Sequence, residues 1–242
     1  MKFTNITTLP TILASLTIAQ ANAQDYASYN ELLKKYAHPT GVDYKSWDKS
    51  KKDHKALEQI LKEWSKVDAT KLSHEDKAAF RINLYNAAMI DVALDNYPLS
   101  SVTKLGDKAF AIFDKNIIKT PTGTISLNTL EKKTLLKDFP DARIHFAVNC
   151  ASVSCPPLRD EAYTGKKLQE QLSEQSVKFA NSDHAVQIKG STANYSELFN
   201  WYASDFKTKN PATYLNNYRS TKIKTSSKIG WIKYDWNLNQ SK

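Results

Sequence analysis

The sequence is poor in glycine. Six glycines among 242 residues speak against a Gly-rich phosphate cradle, and neither G-x-x-x-x-G-K-[ST] nor G-x-G-x-x-G is present. The H-E-x-x-H of zinc hydrolases and the G-x-S-x-G of serine hydrolases are missing too. Beyond the first 23 residues no stretch approaches the ~18 consecutive apolar residues of a membrane-spanning helix, so no transmembrane segment is expected. There is no Gly/Ser/Pro-rich linker, internal repeat or low-complexity tract, which favours one domain. Histidine is sparse: His38, His54, His74 and His184 are scattered in polar, exposed-looking context, so neither a metal site nor another cofactor is expected. The net charge is +9. The lysines, among them Lys34, Lys51, Lys104, Lys166 and Lys222, are spread out, with no dense basic stripe alternating with aromatics. Nucleic acid is therefore not an expected partner. The charge does permit weak attraction to anionic envelope polymers or lipid head groups.

What is present begins with a leader. Lys2 gives a positive start, Leu9 to Ala19 an apolar core too short to cross a bilayer, and Ala21-Asn22-Ala23 an A-x-A cleavage site. Residues 1–23 are read as a signal peptide, with residues 24–242 as a single domain of an exported, periplasmic or secreted protein beginning at Gln24. A monomer is expected. An exported chain meets an oxidising compartment. The two cysteines, Cys150 and Cys155, are close enough in sequence to pair, which the chain-entropy account values at roughly 2 kcal/mol. Free thiols, one of them reactive or both inert, are the alternatives.

Apolar spacing predicts helices over Tyr26 to Ala37 and Lys55 to Val67, with Gly41 to Tyr44 as an extended link. Ser73, with Asp76 three residues on, reads as a capping box for a long helix that stops before Pro98. That helix is apolar nearly all round, which predicts a buried central helix over about 74–96. Arg81, Asn83, Asn86 and Asp91 on it need partners, hence an internal network or a pocket wall. Asn116 to Thr120 and Thr124 to Leu127 read as a hairpin, followed by a short helix from Asn128 to Leu136. Further on come a strand over Ile144 to Val148, a helix from Thr164 to Ala180 and a strand over Ala185 to Lys189. The chain then reads as an aromatic helix from Glu197 to Phe206, a helix after Asn210-Pro211 and a strand from Ile229 to Trp236. The fold class is α+β, a small and largely antiparallel sheet surrounded by helices.

Chemistry concentrates in RIHFAVNCASVSCPPLR, Arg143 to Arg159, which holds His145, both cysteines and a Pro-terminated loop. This stretch has company. FRINLYNA (Phe80 to Ala87), RIHFAVNCASVSCPPLRDEAYT (Arg143 to Thr164), LFNWYASDF (Leu198 to Phe206) and YDWNLN (Tyr234 to Asn239) resemble, in order and spacing, the signature blocks of the DUF547 family. Val42-Asp43-Tyr44 resembles that family's N-terminal block. One departure is Arg81, where the family usually carries an aromatic. The family is a domain of unknown function common in exported bacterial proteins. The resemblance thus implies a fold and a compartment but no reaction.

Two functional classes follow. The first is a thiol-type hydrolase or acyl transferase on a peptide or acyl substrate, with Cys150 as nucleophile, His145 as base and Asn83 or Asn86 as orienter. The helix-then-strand order also resembles that of papain- and transglutaminase-like folds. The second is a non-catalytic binding module for a peptide or glycan, with a structural Cys150–Cys155 disulfide. Its pocket would be lined by Tyr85, Trp201, Tyr202 and Trp236 with Asn83, Asn86 and Arg159.

Overall fold

The computed structural model describes residues 26–241; the expected signal peptide over residues 1–23 lies outside the described residues. The chain opens with α1 (Ala27–Tyr36), a two-residue hairpin of β1 (Ala37–His38) and β2 (Gly41–Val42), then α2 (Tyr44–Lys49) and α3 (Lys51–Trp64). The expected extended link is thus a strand that turns into a helix at Tyr44, where the Asp43 side chain caps by accepting the Ser46 N–H.

Helix α4 (His74–Asp95) is the centre of the molecule. Ser73 accepts the Asp76 backbone N–H and donates its own hydroxyl to the Asp76 carboxylate, so the expected cap is present. Fourteen of its residues are buried, from Ala78 to Leu94, on every side of the helix. Such burial requires partners for its amides, and the structure supplies them with backbone. Asn83 donates to the Tyr163 carbonyl and accepts the Tyr163 N–H at 2.7 and 2.9 Å. Asn86 brackets the chain at Ala147 and Asn149 in the same way, at 3.0 and 2.8 Å. Arg81 leaves the core edge to bond the Thr134 carbonyl and Asp138, tying α4 to the next helical segment.

That segment follows the hairpin of β3 (Ile118–Thr120) and β4 (Gly123–Ile125), as expected. Its helix is a π-helix, Thr129–Leu135, running into the short α5 (Leu136–Asp138). Asn128 does not cap it; Asn128 bonds Asp114, and Ser126 accepts the Thr129 N–H instead.

The expected strand at 144–148 is a correction. Ala142–Phe146 is a 3-10 helix. The Asp141 carboxylate accepts the Arg143 N–H and also grips the Arg143 guanidinium, which starts a turn rather than an extended run. A short apolar run buried on all sides suits either conformation, so its pattern did not discriminate. Helix α6 (Leu168–Ala180) follows, preceded by a 3-10 turn over Gly165–Lys167 that Thr164 does not cap with its side chain. Gly165 is required there: a Cβ would collide with Asp76 at the start of α4.

The last third forms a three-stranded sheet in the order β5 (Val186–Lys189), β6 (Thr192–Ser196), β7 (Lys228–Ile232). β5 and β6 are antiparallel, whereas β6 and β7 are parallel. Between β6 and β7 lie α7 (Leu198–Trp201) and α8 (Pro211–Leu215). The aromatic helix expected to Phe206 stops at Trp201 and continues as turns, and the last strand ends at Ile232 rather than Trp236. Asn210 caps α8, with Pro211 at its first position. The C-terminal segment then returns to the N-terminal hairpin, where Val42 donates to Asn239 and accepts from Ser241. The architecture is α+β, small sheets among helices.

Two hydrophobic clusters result. One gathers α1 to α4 and their neighbours; the other gathers Phe146, Phe179, Tyr195, Phe199 and Phe206 around the three-stranded sheet. Cys150 and Trp236 pack against both.

Candidate functional site

The seam between the two clusters opens into a cavity of about 220 Å³. Tyr85 of α4, Glu131 of the π-helix and His145 of the 3-10 helix line it together with Trp201, Tyr202 and Trp236. Phe110, Phe113 and Tyr234 complete the aromatic walls, and the disulfide contributes Cys150 and Cys155. Trp201 and Trp236 lie nearly parallel at 5.8 Å, with Tyr234 4.5 Å from Trp236. Trp201 is 46 % exposed, which places it at the mouth.

His145 is buried and fully constrained. Its ring stacks on Tyr202 at 3.9 Å. Nε2 lies 2.8 Å from Asp205 Oδ2, and Nδ1 lies 3.7 Å from Glu131 Oε1. With Asp205 as acceptor, Nε2 carries the proton and Nδ1 keeps its lone pair on the Glu131 side. Burial pushes the imidazole below its ordinary value, against the opposing pull of Asp205. Glu131 goes the other way. Burial, with help from the Asp205 charge and against Lys132 and the Tyr85 hydroxyl, pushes its carboxyl up to about 7. A seven-residue π-helix delivers this carboxyl into the cavity. π-helical turns are uncommon and concentrate at functional sites. Burial also raises Tyr85, Tyr202 and Tyr234, which stay protonated and available as donors.

The cysteines are joined as Cys150–Cys155. Cys150 therefore carries no free thiol here, and the Tyr234 hydroxyl packs against both sulfurs at 3.5 and 3.3 Å. Of the sequence-derived candidates, Cys150, His145, Tyr85 and Trp201 line the cavity. Asn83 and Asn86 do not: the Asn83 amide is occupied with the Tyr163 backbone, and the Asn86 amide with the backbone leading to Cys150. Arg159 sits elsewhere, in ion pairs with Glu161 and Glu174.

Sequence reasoning missed Glu131 and Asp205. Glu131 resembled a first-turn surface acid, and its one signal was its place among Leu127, Leu130 and Leu135, all buried. Asp205 stood inside the quoted LFNWYASDF block without a role. It also missed His54, placed by sequence in exposed context. That side chain is only 12 % exposed and meets Asp91 and Asp95. Burial and the neighbouring Asp95 and Glu58 carboxylates push Asp91 up to about 7.

Residues 69–180 match the model of DUF547, described as a protein of unknown function. That span, a little under half of the chain, is a DUF547 domain. The matched span holds Tyr85, Glu131, His145 and the disulfide, while Asp205 and the Trp201–Trp236 wall lie C-terminal to it. Neither the search of curated proteins nor that of solved structures returned a match. The DUF547 match therefore brings no reaction with it, and the chemistry must be argued from the cavity.

Proposed function

We propose that this chain is an exported, single-domain hydrolase that opens a peptide- or acyl-type bond in the aromatic cavity by general acid–base catalysis, with water rather than a thiol as nucleophile. One observation carries the reading: a buried carboxyl with a pKa near 7 faces an imidazole that a second carboxylate orients. His145 Nδ1 takes the proton of a water as that water's oxygen attacks the carbonyl carbon. Asp205 holds the ring and stabilises the imidazolium that forms. Glu131 passes its proton to the leaving group, and His145 then returns the proton to Glu131. Burial that raises Glu131 to about 7 lets it hold a proton to give, and burial that lowers His145 keeps its imidazole neutral and able to accept one. The aromatic walls supply contact area for a substrate, and the disulfide is in keeping with an oxidising compartment.

The test is hydrolysis of a panel of chromogenic esters and peptide amides by the wild type, Glu131→Gln and His145→Ala. Loss of on the order of 10²-fold or more in kcat for each variant supports the reading. Turnover that neither substitution lowers overturns it.

The disulfide favours one other reading, a non-catalytic binding module for a peptide or glycan. A binding site has no need of a thiol. In that case Trp201→Ala abolishes ligand binding, Glu131→Gln preserves it, and the bound ligand is recovered intact.

A further inference from the structure

A second cavity, of about 520 Å³, shares no lining residue with the first and is walled by Glu58, Asp91 and Asp95. Beside it stands His54. The four residues form two pairs at helical i, i+4 spacing, His54 and Glu58 on α3 and Asp91 and Asp95 on α4. Residues four apart project from the same face of a helix. Packing α3 against α4 therefore turns two sequence pairs into one facing set.

We infer that His54, Glu58, Asp91 and Asp95 form a site for a divalent transition-metal cation, of the zinc class, that clips α3 to α4. One ligand atom each from His54, Glu58 and Asp95 can be chosen within 4.8 Å of one another. His54 Nε2 lies 3.4 Å from Asp95 Oδ1 and 3.7 Å from Asp91 Oδ1. Zinc bonds of about 2.0–2.2 Å in a tetrahedron place neighbouring ligand atoms roughly 3.3–3.6 Å apart. The His54–Asp95 separation matches a tetrahedral edge, the His54–Asp91 separation is slightly longer, and Glu58 closes on the same point by side-chain movement.

An independent observation points the same way. His54 Nε2 and Asp91 Oδ1 are buried atoms without a hydrogen-bond partner, and they lie 3.7 Å apart. Buried polar atoms left without a partner are uncommon and call for a ligand, a water or an ion. Among the described residues no lysine or arginine forms an ion pair with Glu58, Asp91 or Asp95, although Lys62, Lys115 and Lys119 line the same cavity; His54 is the group in contact with Asp91 and Asp95. The donor set selects the class of metal. Imidazole with carboxylates and no thiolate suits zinc or manganese, whereas calcium and magnesium prefer all-oxygen sites.

The experiment is titration of zinc chloride into the purified, chelator-treated chain, followed by calorimetry and by the thermal transition. Cobalt(II) absorption reports whether the coordination is tetrahedral. The expected result is one high-affinity equivalent, a Tm rise of about 5 °C, and tetrahedral cobalt bands. His54→Gln and Asp95→Asn, each confirmed folded by circular dichroism, weaken binding at least tenfold and remove the bands. The inference is overturned if zinc moves neither heat nor Tm of the wild type, or if both variants bind as tightly as it does. Asp95 is more than half exposed, so Asp95→Asn tests the site without disturbing the core.

Discussion

His145 is held to Asp205 by a 2.8 Å hydrogen bond from inside the core, while its ring lies flat on Tyr202. Burial lowers the imidazole pKa and Asp205 raises it, with burial the larger effect. Removing the carboxylate leaves burial unopposed. Asp205→Ala should therefore lower the His145 pKa further below its ordinary 6.5. Titration of the ring nitrogens by ¹⁵N NMR reads this directly, and a raised or unchanged value in the variant would contradict the pairing. Linkage gives a second readout. A folded-state histidine pKa below its unfolded value adds stability at neutral pH that is lost as pH falls through about 6.5.

Glu131 has the opposite sign. Its folded-state carboxyl titrates near 7 instead of 4.5. Between those values the folded chain holds a proton that the unfolded chain has released. The contribution of this group to stability is therefore full below 4.5 and falls as pH rises to 7 and beyond. Glu131→Gln keeps the neutral shape at every pH. Measured as a difference in unfolding free energy, the variant should gain about 3 kcal/mol on the wild type between pH 4 and pH 8. Urea unfolding at both values checks it; a difference independent of pH would mean that Glu131 is ionised in the fold.

The helical half of this fold was legible because its signals are local. Ser73 and Asp76 announce the start of α4, and Asn210-Pro211 announces α8. The site was legible only in part. Tyr85, His145, Trp201, Tyr202 and Trp236 stood out by residue type. Glu131 did not, because a π-helix leaves no separate mark in an apolar pattern read at 3.6 residues per turn. Asp205 and His145 are sixty residues apart in sequence, and only tertiary packing within the second cluster joins them. For the same reason the His54–Glu58 and Asp91–Asp95 spacings meant nothing until α3 was laid beside α4.

Asn86 illustrates how the central helix builds the site without entering it. Its amide satisfies the Ala147 carbonyl and the Asn149 N–H, both flanking the turn that leads from His145 to Cys150. Asn86→Ala strands two buried backbone groups, at about 1–3 kcal/mol each. A loss of about 3 kcal/mol in denaturant unfolding is expected. Asn86→Asp should be no better, because it keeps the acceptor for Asn149 but sets an oxygen against the Ala147 carbonyl. If Asn86→Asp is as stable as the wild type, the bracket is not what holds the loop.

The disulfide separates the two kinds of hydrolase. Cys150 and Cys155 are joined across five positions of one loop. Mass labelling of the untreated native protein should find no free thiol, and reduction should expose two. The double variant Cys150→Ser/Cys155→Ser should lose about 2 kcal/mol of stability, the chain-entropy value for so short a loop. Its turnover should persist at temperatures well below its transition, because His145 and Glu131 reach the cavity from helices that the disulfide does not form. Rapid labelling of Cys150 alone at neutral pH, together with loss of turnover in the double variant, would reassign the nucleophile to sulfur. His145 would then act on a thiol rather than on water, and Glu131 would keep its place as the proton donor to the leaving group.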